Sequence, residues 1–222
     1  MKFEKGQLLL YAVTDRAWVG KQTLYEQIED ALKGGVTMLQ LREKTLSEED
    51  FLKEARQVKE LCNRYRVPFI INDNVEVALQ CGADGVHVGI EDAPVAEIRA
   101  RAGAEFIIGA TAKTVEQALA AEKAGADYLG VGAVFPSPTK KTAIRITGEQ
   151  LRAICASVSI PAVAIGGITY DNIAQLSGGG MDGVAVVSAI FGAEDIVSAT
   201  AKLKERVKEV TAKGSVRQSP VE

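Results

Sequence analysis

Cysteine, histidine, aromatic rings and long apolar runs are all scarce in this chain of 222 residues, and each scarcity removes a class of function. The three cysteines, Cys62, Cys81 and Cys155, are odd in number, far apart and never in a CxxC pair, so they read as reduced packing thiols and not as disulfides or zinc ligands. His87 is the single histidine, and one imidazole cannot supply the ligand set of a zinc site. Aromatic residues make up 5% of the chain, the basic residues are scattered and the net charge is −3, so no cationic face with stacking rings is offered to nucleic acid. The apolar run in the opening MKFEKGQLLLYAVTD is too short to span a membrane and lacks the small-residue cleavage site of a secretory signal; no later run reaches membrane length. These features predict a soluble, cytoplasmic protein that acts on small molecules, with no nucleic-acid or membrane partner, and they are compatible with a homo-oligomer.

What is present is a weak repeat: GGVTMLQLR from Gly34, CGADGVHVG from Cys81, AGADYLGVG from Ala124 and GGMDGVAVV from Gly179. Each is a glycine able to end a helix in the left-handed conformation, followed by a short apolar strand. Four further apolar runs alternate with them, at 8–13, 67–71, 106–110 and 162–165, so the repeats are the even members of eight strands. Helical spacing fills the gaps, as in Leu24, Ile28, Ala31 and Leu32, or Phe51, Ala55, Val58 and Cys62. Thr23 with Glu26, Thr114 with Gln117 and Thr147 with Gln150 fit the capping box that satisfies the orphan amides of a first helical turn. Eight strand-then-helix units predict a single-domain (β/α)8 barrel over residues 1–210, with a frayed tail at 211–222 where periodicity is lost.

In such a barrel chemistry sits at the carboxyl ends of the strands, and there the polar residues collect. QLREK, residues 40–44, places Gln40, Arg42 and Lys44 on one face if the extended alternation continues. Two gathered cations need an anion, which points to a phosphate or pyrophosphate; Glu43 as internal counter-ion at a solvated strand end is the other reading. Strand three ends in Asn72 and Asp73, strand four leads to Asp92, and strand five to Thr111 and Lys113. Asp73 and Asp92 near Arg42, Lys44 and Lys140 suit magnesium bridging to a pyrophosphate, although Asp92, with Pro94 in what would be a first turn, equally suits a helix N-cap. Gly166 and Gly167 after strand seven and Ser188 after strand eight occupy the usual phosphate location of the fold, where they either admit a ligand or make a turn and a cap. His87 reads as a hydrogen-bonded structural group. The loop Phe135 to Lys141, stiffened by Pro136 and Pro138, reads as an anion-gripping flap or a solvated loop.

Taken together, YAVTD, QLREK, FIINDN, ADGVHVG, FPSPTKK, AIGGI and DGVAVVSAI occur in the order found in thiamine phosphate synthases, which the chain resembles from about Leu10 to about Val207. The resemblance implies a magnesium-dependent transferase that condenses aminopyrimidine diphosphate with hydroxyethylthiazole phosphate. It assigns Gln40, Arg42, Lys44, Asn72 and Lys140 to the pyrophosphate, Thr111 to the reacting groups, and Asp73 and Asp92 to magnesium. Ser137, Thr139, Gly167, Val187 and Ser188 fall to the thiazole phosphate. The family's dissociative route, in which pyrophosphate leaves a pyrimidine-methyl cation, agrees with a chain that has no visible nucleophile or acid-base dyad. Ile90 and Lys113 depart from the family pattern, which commonly has glutamine and histidine there. A thiazole tautomerase of the same barrel relies on a histidine where this chain has Lys113, and a non-catalytic phosphometabolite-binding barrel would not require a metal-assisted leaving-group site.

Overall fold

The computed structural model describes residues 3–20, 22–137 and 144–212. Its elements run β1 (Leu10–Val13), α1 (Leu24–Lys33), β2 (Met38–Leu41), α2 (Glu48–Tyr65), β3 (Phe69–Asn72), α3 (Val75–Gln80), β4 (Gly85–Val88) and α4 (Val95–Ala102). There follow β5 (Ile107–Ala112), α5 (Val115–Lys123), β6 (Tyr128–Gly132), α6 (Gly148–Ser157), β7 (Ala162–Ile165), β8 (Gly183–Val186), α7 (Ser188–Phe191) and α8 (Ile196–Ala212). All eight strands are parallel and close in chain order, β8 returning to β1, so the expected barrel is present.

Three local expectations give way. The first apolar run is split: residues Lys5–Leu8 form a 3-10 turn and only Leu10–Val13 is strand, with Leu8 plugging the lower interior beside Tyr11 and Met38. Between β7 and β8 the helix shrinks to a 3-10 turn, Ile173–Leu176, where the segment runs into three consecutive glycines. Thr114 caps α5 through the Gln117 amide, but the Gln117 side chain accepts from Lys113 N–H instead, so that capping box is half made; those at Thr23 and Thr147 are complete. Helix α8 carries on through Ala212, into the expected tail, and residues 213–222 lie outside those described.

The repeat has a physical meaning. Its polar residue just before each even strand accepts the backbone amide of the preceding odd strand. Leu10 N–H donates to Thr37 Oγ1 at 2.8 Å, Phe69 to Asp84 Oδ2 at 2.8 Å, Ile108 to Asp127 Oδ2 at 2.7 Å and Ala162 to Asp182 Oδ2 at 2.9 Å. Lys59, Arg99 and Lys5 neutralise the three carboxylates. These staples lie at the amino-terminal face, where they fix strand entry away from the mouth.

Alternation along the strands divides the core. Leu39, Leu41, Phe69, Ile71, Leu129 and Val131 face the helices, whereas Tyr11, Met38, Ile70, Tyr128 and Val163 fill the barrel. The three cysteines are buried thiols. No helix among the described residues is long and apolar enough to cross a membrane.

Thr37→Val is expected to lower unfolding free energy by about 1–3 kcal/mol, the cost of leaving the buried Leu10 amide without an acceptor, while Thr37→Ser keeps most of it. Urea unfolding of the three proteins checks this; equal midpoints would show that the staple is dispensable.

Candidate functional site

The carboxyl ends of the strands open into one cavity. Gln40, Arg42, Asn72 and Thr111 line one side, and Ser137, Gly167, Val187 and Ser188 line the other. Eight residues expected at the site are therefore brought together. Lys140 and Thr139 lie outside the described residues, as does Lys141.

Gln40 and Thr111 reach the cavity as inward positions of β2 and β5. Strand β5 extends past the expected end at residue 110, so Thr111 is a strand residue and not a loop residue. Arg42 follows β2 and is held on two sides: its N–H donates to Thr14 Oγ1 at 3.0 Å, and its Nη1 pairs with Asp15 Oδ2 at 2.5 Å. Lys44 Nζ pairs with Asp73. Glu43 is buried, pairs with Arg16, and accepts the Lys44 and Thr45 amides at 2.8 and 3.1 Å. It is thus no counter-ion for Arg42 or Lys44. Both cations do have carboxylate partners, but these come from the ends of β1 and β3, and Asp15 is the member the sequence reading left without a role.

Asp73 stands at the turn after β3 with φ of 61°, a left-handed conformation rare for a non-glycine residue. Its amide donates to the His87 carbonyl at 2.9 Å, and its Oδ1 accepts from Asn72 Nδ2 at 2.9 Å. Asp92 is not a helix cap. Helix α4 starts at Val95 with Pro94 itself at the N-cap position, and Asp92 Oδ2 accepts the Gly89 amide at 2.7 Å instead. A Cβ on residue 89 would lie 2.7 Å from the same oxygen and push the Asp92 side chain aside. The loop so folded brings Asp92 against Asp73. Burial raises the Asp73 carboxyl above its ordinary range, Lys44 pulls it back down, and the Asp92 carboxylate pushes it up again. Two hard oxygen donors forced together, one of them reluctant to ionise, fit a divalent cation such as magnesium, which uses one or two carboxylates and takes the rest of its shell from phosphate and water. No cluster of three or more potential metal ligands occurs among the described residues.

Gly166 and Gly167, with φ of 102° and 64°, turn the chain after β7. The close approach they permit is to protein. A Cβ on Gly167 would meet the Pro136 carbonyl at 2.1 Å, and one on Gly166 would meet Ala133 Cβ at 2.6 Å. The turn reading of these glycines is therefore the stronger, and it has a functional effect, because it seats the loop carrying Ser137 against the loop carrying Gly167. Ser188 opens the short helix α7, with Val187 as its N-cap.

Beneath the cavity runs a chain of polar side chains that the sequence reading missed. Gln40 Nε2 donates to Tyr11 Oη at 2.6 Å, and Tyr11 and Tyr128 share a hydroxyl contact at 2.8 Å. Tyr128 Oη meets His87 Nδ1 at 3.2 Å, and His87 Nε2 meets Thr111 Oγ1 at 3.1 Å. His87 is thus hydrogen-bonded as expected, yet it also faces the cavity and touches a site residue. Burial pushes its pKa down to about 4, Asp92 opposing weakly. Burial likewise raises both tyrosines above their usual range. The inward-facing parity of Tyr11 and Tyr128 was the available signal, obscured because tyrosine within an apolar run reads as core.

Comparison with known proteins agrees with this architecture. The family described as Thiamine monophosphate synthase matches residues 10–190. A thiamine-phosphate synthase of Ruminiclostridium cellulolyticum is 49% identical over 196 residues, spanning 88% of this chain and 93% of its own length. Thiamine-phosphate synthase 2 of Streptococcus pneumoniae is 48% identical over 193 residues, spanning 87% and 92%. A solved thiamine phosphate pyrophosphorylase from Pyrococcus furiosus superposes with a TM-score of 0.84 at 41% identity, covering 93% of this chain and 98% of its own.

Because the folded state disfavours protonation of His87, its contribution to stability is complete above the ordinary histidine pKa and is lost as pH falls from about 6.5 toward 4. Metal-free wild type is expected to lose on the order of 2–3 kcal/mol over that window beyond the loss shown by His87→Gln. Thermal melts across the range test this, and parallel curves would mean that the imidazole titrates freely.

Proposed function

The chain belongs to the thiamine monophosphate synthase family, and from that premise we propose that its barrel mouth joins 4-amino-2-methyl-5-hydroxymethylpyrimidine diphosphate to hydroxyethylthiazole phosphate, a transferase reaction yielding thiamine phosphate and pyrophosphate. The observation that carries the reading is convergence. Gln40, Arg42, Asn72 and Thr111 share one cavity with Ser137, Gly167 and Ser188, so two phosphorylated ligands fit face to face on opposite walls.

The diphosphate binds beside Arg42, Lys44 and Asn72, with Lys140 joining from the loop after β6. Arg42 offers a planar fork suited to phosphate oxygens, Lys44 a compact ammonium, and Asn72 an amide donor. To engage the ligand, Arg42 and Lys44 exchange Asp15 and Asp73 for phosphate oxygens. Asp73 and Asp92 would hold magnesium, which when bound supplies positive charge for the departing pyrophosphate. Departure leaves a pyrimidine-methyl cation, and the thiazole nitrogen captures it. No residue need attack, which agrees with a cavity lined, among the described residues, by a neutral imidazole, the Tyr11 phenol and the cations Arg42 and Lys113, with no carboxylate. The work is charge stabilisation and the holding of two ligands in line. Ser137, Thr139, Gly167, Val187 and Ser188 hold the thiazole phosphate. Lys113 faces the cavity where a tautomerase would need its histidine, which disfavours that rival.

Mixing the two substrates with the protein and magnesium is expected to give thiamine phosphate and one pyrophosphate per turnover. Arg42→Ala and Lys140→Ala should each reduce kcat by roughly a hundredfold or more while leaving the melting curve in place. Chelation should abolish coupling, and Asp73→Asn should raise the magnesium concentration needed for half-maximal rate. Full activity in excess chelator would remove the metal from the mechanism, and near-normal rates in the Arg42 variant would remove that residue from the pyrophosphate set.

A further inference from the structure

Five side chains from five different strands or their ends, Gln40, Tyr11, Tyr128, His87 and Thr111, form one unbroken line of hydrogen bonds across the barrel, and counting protons along it fixes its direction. Gln40 Nε2 donates to Tyr11, so the Tyr11 proton has only the Tyr128 oxygen as acceptor, at 2.8 Å. Tyr128, having accepted there, gives its single proton to His87 Nδ1 at 3.2 Å. An Nδ1 that accepts leaves the ring proton on Nε2, which donates to Thr111 Oγ1 at 3.1 Å. With the Gln40 amide placed so that Nε2 faces Tyr11, any other arrangement strands a phenolic proton on Tyr11 or Tyr128, which are 1% and 0% exposed, at a cost of about 1–3 kcal/mol. The Thr111 oxygen is thereby occupied as an acceptor. Its own proton is taken by no acceptor among the described residues, and the cavity lies on its open side.

The ring is also held in place sterically. His87 lies across the bare backbones of Gly109 and Gly130, where a Cβ would come within 2.5 Å of Nδ1 and 2.9 Å of Cε1. The Tyr128 ring crowds the same glycine, at 2.2 Å from such a Cβ, and lies 5.5 Å from the imidazole, centroid to centroid.

We propose that Tyr11, Tyr128 and His87 are positioning residues that lock the imidazole as the Nε2–H tautomer and so present Thr111 to the ligand as a hydrogen-bond donor, making the ligand atom opposite it an acceptor. In the pyrimidine diphosphate such an acceptor is a ring nitrogen or a phosphate oxygen. The role toward the ligand rests on the proposed site; the tautomer does not. The line acts by orientation: a hydroxyl already turned toward the acceptor has no rotamer or competing partner to give up when the transition state forms.

Since His87 is the only histidine, labelling histidine with 15N gives one pair of ring signals from the intact protein. In the ligand-free enzyme Nδ1 is expected unprotonated and Nε2 protonated, and Tyr128→Phe is expected to mix the tautomers. A proton on Nδ1, or on both nitrogens at neutral pH, overturns the proposal, because the line would then run the other way or not at all. Kinetics supply the second arm. Tyr128→Phe should lower kcat about five- to tenfold with KM little changed. Thr111→Val should lower it further, Thr111→Ser should restore most of it, and the Tyr128→Phe, Thr111→Val double variant should be no slower than Thr111→Val alone. Additive losses in the double variant would show that Tyr128 acts independently of Thr111 and overturn the positioning role. Should Tyr128→Phe fail to fold, the spectrum of the wild type decides alone. A wild-type protein with the stated tautomer and no coupling activity would instead overturn the site reading and leave the direction of the line intact.

Discussion

Every odd-numbered strand enters this barrel with a backbone amide that a side chain leading the next even-numbered strand must accept. Parallel closure makes that demand acute, since an amide at the mouth of a sheet that is covered on the outside by helices and filled on the inside by side chains has no water to fall back on. Thr37, Asp84, Asp127 and Asp182 meet it with the same geometry four times, and the carboxylates carry cations from neighbouring elements. Strand entry and register are therefore determined at the amino-terminal face. The opposite face is released from that duty, and it holds Asp73 in the left-handed region, Asp92 folded back on Gly89 and close to Asp73, and the paired glycines after β7. The division is the one the fold makes generally, stability below and chemistry above.

Between the two faces the barrel interior changes character. Leu8, Met38, Ile70 and Ile107 make the lower layers apolar, and the Tyr11 to Thr111 line makes the upper layer polar while leaving it fully bonded. A polar layer under a binding cavity is stable only if each member is satisfied, and the glycines at 109 and 130 supply the room that lets a tyrosine and an imidazole meet there. The cavity floor is thus hydrogen-bonded and not merely greasy, which would suit the proposed task of holding two charged ligands in a fixed relation.

Much of this was legible in the sequence. The fourfold glycine-to-strand repeat revealed the barrel because a strand that must follow a left-handed turn leaves a compositional mark at each recurrence. The mouth residues were legible because charge at the end of an apolar run has few structural uses. What escaped notice did so for identifiable reasons. Tyr11 and Tyr128 are chemically ambiguous inside apolar runs, and only three-dimensional register makes their hydroxyls meet. The partnership of Asp15 with Arg42 joins residues 27 apart on adjacent strands, which nothing local announces. Glu43 was the nearest acid in sequence and so the natural suspect as counter-ion, but its side chain follows the opposite parity to Arg42 and pairs with Arg16. Asp92 two residues before a proline mimicked a helix start, and the helix begins one residue beyond that proline. The link between β7 and β8 shows the same lesson in reverse, because a general pattern of alternating helices conceals an interval that ends in three consecutive glycines and holds only a 3-10 turn.

The pairing of Arg42 with Asp15 and of Lys44 with Asp73 means that the cations at the mouth already have anions of their own. In the proposed reaction an incoming diphosphate would have to win them by competition, which would weaken its hold compared with that of two bare cations. On the same proposal the competition would work again when the reaction is over, the waiting carboxylates reclaiming their partners and helping to expel inorganic pyrophosphate. A catalyst that carries its own displacing anions sacrifices affinity for the freedom to begin again.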